Sequence, residues 1–118
     1  MANVQEKLSI ITKACEEKKG IDTQALDISN LTTIADYFVI VSGNSSSQVT
    51  SIADEIEEKM SEAGFEFISK EGYESARWIL LDYEEIIVHI FHKEERDYYK
   101  LERLWSDIED KMKKNREE

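Results

Sequence analysis

At 118 residues the chain has the size of one domain, and folding would bury roughly 65% of its unfolded surface, enough for a single modest core. Hydrophobic residues at 41%, charged residues at 35%, four glycines and no proline exclude a disordered or low-complexity chain. The net charge of −11, from 26 acidic against 15 basic residues, disfavours direct contact with nucleic-acid phosphates or anionic lipid. It suits a basic partner, or serves solubility alone.

The first predicted element is an amphipathic helix carrying Val4, Leu8, Ile11 and Cys15 on one stripe and ending at Gly20, where Lys18 and Lys19 suit its carboxyl end and the glycine suits a left-handed cap. Cys15 thereby reads as a core residue. It is the only cysteine, so no intramolecular disulfide can form, in keeping with a reducing compartment. Thr23 to Ile28 and Asp36 to Ser42 read as strands, and the run Tyr37-Phe38-Val39-Ile40-Val41 predicts that the second is central and covered on both faces.

Ser45 and Gln48 form a capping box for a second helix, which buries Val49, Ile52, Ala53, Ile56, Met60 and Ala63 and closes at Gly64. Phe65 to Lys70 and Arg77 to Asp82 read as strands joined by a turn at Gly72, and Glu85 to Phe91 as a strand reached through a link at Tyr83 and Glu84. The last two should pair as an antiparallel hairpin. The segment from Asp36 to Lys70 reads as a right-handed parallel crossover, which makes the sheet mixed. A final helix is predicted from about Glu94, carrying Tyr98, Leu101, Leu104 or Trp105, Ile108 and Met112.

Groups that could carry chemistry are few. The turn Ser42-Gly43-Asn44-Ser45-Ser46-Ser47 could offer donors to a phosphate at a helix amino end, but it follows neither the GxGxxG nor the GxxxxGK[ST] pattern, and capping accounts for its serines. His89 and His92 are three apart, but His89 sits inside a strand run and His92 just beyond it, so their side chains need not converge, and no HExxH or CxxC spacing accompanies them. No GxSxG elbow is present. No cofactor or metal is expected. No apolar run approaches the ~20 residues that span a bilayer and no signal pattern opens the chain, so no membrane contact and a cytoplasmic location are expected.

The segments Ala25-Leu26-Asp27-Ile28, Ile34-Ala35-Asp36-Tyr37-Phe38-Val39-Ile40, Ser42-Gly43-Asn44-Ser45-Ser46, Ile52-Ala53-Asp54, Glu71-Gly72, Trp78-Ile79-Leu80-Leu81-Asp82-Tyr83, Val88-His89-Ile90-Phe91 and Leu101-Glu102-Arg103-Leu104-Trp105 together resemble the ribosomal silencing factor (Iojap-like) family. The likeness runs from about Leu8 to Trp105. Residues 1–105 are accordingly taken as the family domain and 106–118 as a charged helical tail.

The resemblance implies a single-domain α+β fold: a mixed β-sheet of about five strands with helices packed on it, nucleotidyltransferase-like in topology but without catalytic carboxylates. It implies a translation repressor, not an enzyme. Such a factor binds ribosomal protein L-fourteen on the large ribosomal subunit, blocks joining of the small subunit and lowers translation under nutrient limitation. The partner-binding residues carried over are Trp78, Leu80, Asp82 and Tyr83, of which alternation places Trp78, Leu80 and Asp82 on one face of their strand. Trp78 and Leu80 read equally well as core. Two other readings stand beside this one: a small nucleotidyltransferase-like enzyme using the Ser42 to Ser47 turn, and a homodimer or higher oligomer built through the sheet face or the last helix.

Overall fold

The computed structural model describes residues 4–30, 33 and 35–94. Helix α1 (Val4–Glu17) is followed by the antiparallel strands β1 (Ile21–Asp27) and β2 (Tyr37–Gly43), then by helix α2 (Ser46–Glu62). Strands β3 (Ser69–Glu71), β4 (Trp78–Asp82) and β5 (Ile86–His92) complete a five-stranded sheet in the order β1-β2-β5-β4-β3. Only β2 and β5 pair in parallel, so the sheet is mixed, as predicted.

The sheet departs from expectation in its middle. β2 is internal, but the central place belongs to β5, all seven residues of which are buried. β3 runs in the same direction as β2, as the crossover requires, yet β5 and β4 lie between them. The predicted strand from Phe65 to Lys70 shrinks to Ser69–Glu71, because the Phe65 N–H still closes α2 on the Met60 carbonyl at 2.8 Å and both Phe65 and Phe67 turn toward the helices.

Helices α1 and α2 cover one face. Ile11, Ala14 and Cys15 of α1 and Val49, Ile52, Ala53, Ile56 and Met60 of α2 meet Val39, Val41, Ile79, Leu81, Val88 and Ile90 of the sheet. Each such side chain, once fully buried, contributes about 1.5–3 kcal/mol in transfer free energy. Ala63, predicted to be buried, is exposed because it is the cap residue of α2; Gly64, at φ +91, carries the chain out with its N–H on the Ser61 carbonyl at 3.0 Å. At the end of α1 the left-handed residue is Lys19, not Gly20. Gly20 is needed for another reason: a Cβ there would strike Val41 Cγ2.

The opposite face carries a second cluster of Ile28, Ala35, Phe38, Ile40, Leu80, Ile87 and Phe91, with Leu26 and Trp78 against it. Among the described residues it draws only on strands and on the link between β1 and β2. The predicted helix from Glu94, and with it the tail 106–118, lies outside the described residues.

Candidate partner-docking surface

Strand β4 is held between two turns that use left-handed backbone. Before it, Gly72 sits at φ +78, where a Cβ would strike the Trp78 carbonyl oxygen, and its own carbonyl accepts from the Ala76 N–H at 3.0 Å. After it, the Asp82 carboxylate accepts from the Glu84 N–H at 2.8 Å, with Glu84 at φ 75. The Tyr83 N–H donates to the Ile86 carbonyl at 2.9 Å, which makes Glu84 and Glu85 the two turn residues. That is one residue later than the predicted link at Tyr83 and Glu84, and it resets the register: Trp78 lies opposite Phe91, Leu80 opposite His89 and Asp82 opposite Ile87.

The predicted site residues separate by burial. Trp78 is half-buried, whereas Leu80, Asp82 and Tyr83 are 0%, 3% and 2% exposed. Trp78, Leu80 and Asp82 alternate onto one face, as predicted; it is the face away from the helices, and Ile79 and Leu81 point toward them. Tyr83 belongs to the helix side, edge-on to Phe67 with ring centroids 6.5 Å apart. Burial, with Glu57 and Glu66 nearby, pushes its phenol above the ordinary tyrosine value.

Around Trp78 the strands assemble an aromatic group. Its indole stacks on Phe91 at 5.1 Å, and its Nε1–H donates to Nδ1 of His89 at 3.2 Å. His89 is fully buried and meets Phe38 edge-on at 4.8 Å. Sequence reasoning treated His89 as a core or surface histidine and missed this bond. The signal was present in the hairpin: with Glu84-Glu85 as the turn, counting back along both strands brings Trp78 and His89 to diagonal positions, within reach of long side chains.

The remaining candidates are engaged in structural bonds. Ser45 caps α2 by accepting from the Gln48 N–H at 3.1 Å; Gln48 Oε1 accepts from the Asn44 N–H at 2.6 Å, and its Nε2 donates to the Lys18 and Lys19 carbonyls at 3.1 and 3.0 Å. Gln48 thus ties the start of α2 to the end of α1. His92 accepts from the Glu94 N–H at 3.3 Å, and its strand position puts it on the other face from His89. Among the described residues no three His, Cys, Asp or Glu side chains converge as a metal would need, and no helix is long and apolar enough to cross a membrane. Cys15 is fully buried, and desolvation pushes its thiol up to about 12, so it is unreactive in the folded state.

Among the described residues, two helices on one face of a five-stranded mixed sheet, with a half-buried tryptophan on the other, define a small α+β domain. Residues 1–118 match the family model described as ribosomal silencing factor during starvation, and the chain belongs to the ribosomal silencing factor family. It is 45% identical over 105 residues to the ribosomal silencing factor RsfS of Bacillus subtilis, covering 89% of each chain. A crystal structure of a protein from Chromobacterium violaceum superposes with a TM-score of 0.83 at 35% identity, over 89% of this chain and 88% of that one. One from Bacillus halodurans gives 0.79 at 44% identity, over 86% and 94%.

Proposed function

We propose that this protein acts by binding: it docks on the large ribosomal subunit through ribosomal protein L-fourteen, blocks association with the small subunit and represses translation under nutrient limitation. Membership of the silencing factor family supports the ribosome as the class of partner. The observation that carries the choice of surface is Trp78, a tryptophan that keeps solvent exposure while its indole N–H is already bonded inside the sheet. Large, oriented aromatic side chains of this kind commonly anchor interfaces. Leu80, Asp82 and Tyr83 are buried in the free protein, so this reading gives Trp78 the direct contact and the other three the support of its strand and turn. The net charge of −11 favours a basic protein over RNA as the surface contacted, and this reading takes the cytoplasm as the site of action.

Cosedimentation with isolated large subunits, small subunits and assembled ribosomes tests the partner, and light scattering follows subunit joining. The expected result is sedimentation with free large subunits and slower joining. A saturating excess of protein that leaves the rate and yield of joining unchanged would overturn the proposal.

A further inference from the structure

We infer that His89 is a positioning residue for the docking surface: its Nδ1 fixes the orientation of the Trp78 indole before any partner arrives. The inference rests on the reading above for its binding consequence, but not for its geometry. An indole nitrogen is only a donor, so the Nε1–H of Trp78 takes its direction from the acceptor at 3.2 Å, His89 Nδ1. Accepting there requires a neutral imidazole with its hydrogen on Nε2.

The acceptor is itself held still. His89 is 0% exposed in the middle of the central strand, opposite Leu80, with Phe38 edge-on at 4.8 Å and Phe91 nearly parallel at 6.4 Å. Trp78, by contrast, is only half-buried at the first residue of β4, where stacking on Phe91 at 5.1 Å is compatible with either sense of the ring about its second side-chain torsion, and the bond to His89 selects one. A buried polar ring on a face otherwise lined by Ile87, Phe91 and Leu80 carries a desolvation cost that an apolar ring of the same size would avoid. Its bond to Trp78 offsets part of that cost. The outcome is that a surface side chain inherits the rigidity of the core, which lowers the ordering cost of docking.

The test uses the full chain and a pair of substitutions. His89→Phe keeps the ring and removes the acceptor; His89→Asn places a carbonyl oxygen near the position of Nδ1. The Trp78 indole resonance, assigned by its loss in Trp78→Phe, is followed in a nitrogen–proton spectrum together with its exchange with water. His89→Phe is expected to shift that resonance, speed its exchange and weaken binding to isolated large subunits roughly three- to tenfold, and His89→Asn to restore both at least in part. In a Trp78→Phe background, His89→Phe should weaken binding no further.

An indole signal unmoved by His89→Phe, or losses that simply add in the double variant, would overturn the inference. Should His89→Phe not fold, His89→Asn is read alone: indole signal and affinity both retained supports positioning, and a retained signal with lost affinity overturns it. A parent protein that does not bind large subunits removes the functional proposal, while the indole signal still decides whether His89 orients Trp78.

Discussion

The two faces of the sheet solve different problems with the same strands. On the helix side, β4 and β5 present Ile79, Leu81, Val88 and Ile90 to a cover of aliphatic side chains, all fully buried. On the other side the same strands present Trp78, His89 and Phe91, joined by Phe38, with ring contacts and a side-chain hydrogen bond that set angles as well as distances. Aliphatic packing supplies non-directional stability that depends on volume. Aromatic and hydrogen-bonded packing adds direction, which a surface meant to meet a partner requires.

The comparison predicts which substitutions separate stability from binding. The largest effect belongs to the helix side: Ile79→Ala should cost about 3 kcal/mol in urea unfolding, from lost transfer free energy and the cavity left behind. Its folded fraction should bind large subunits as the parent does. Trp78→Ala should do the reverse, weakening binding roughly thirtyfold, or about 2 kcal/mol, while costing less stability than Ile79→Ala. Equal losses of stability from the two would erase the distinction between the faces, and affinity measured on the same preparations decides it.

Alkali should attack the helix side. The Cys15 thiol, raised from 9.0 to about 12, is neutral in both folded and unfolded chains below pH 9 and has no effect on stability there. Between pH 9 and about 12 only the unfolded chain ionises, so stability falls by about 1.4 kcal/mol per pH unit from this group. Cys15→Ala should flatten that slope between pH 9 and 10, and Tyr83, also raised from an ordinary value of 10.0, should leave a residual fall above pH 10. An unchanged slope in the variant would show that the thiol meets water in the folded protein. The smallest expected effect lies at the turn serving both faces: Glu84→Gly should raise stability by roughly 0.5–1 kcal/mol, because glycine adopts φ 75 without the steric cost borne by the exposed Glu84, and its unfolded-state entropy cancels part of the gain. Thermal unfolding resolves a shift of this size.

The helices and the sheet were legible in the sequence because their signals are local. Val4, Leu8, Ile11 and Cys15 repeat at helical spacing, and the Ser45 and Gln48 cap fell where the pattern placed it, with the reciprocal arm reaching Asn44 instead of Ser45. The order of the strands was not legible, since an apolar run says that a strand is buried but not which neighbours bury it. β2 and β5 share that appearance, and only pairing distinguishes the central one. At the surface, alternation placed Trp78, Leu80 and Asp82 on one face, whereas the exposure of each depends on what lies above it. Either turn placement brings Trp78 beside His89, directly opposite with Tyr83 and Glu84 as the link and diagonally with Glu84 and Glu85, but proximity alone does not say that the two rings join as donor and acceptor.

The central place of β5 has a consequence for how the chain acquires its structure. β5 is the last described strand to be synthesised, yet β2 hydrogen-bonds to one of its edges and β4 to the other. Until residues 86–92 have left the ribosome, the β1–β2 pair and the β3–β4 pair have no common partner, and α2 has only half a sheet beneath it. Folding should therefore be late and all-or-none, with most long-range pairing deferred to a single insertion step. A nascent chain stalled before β5 emerges would expose the apolar faces of both pairs.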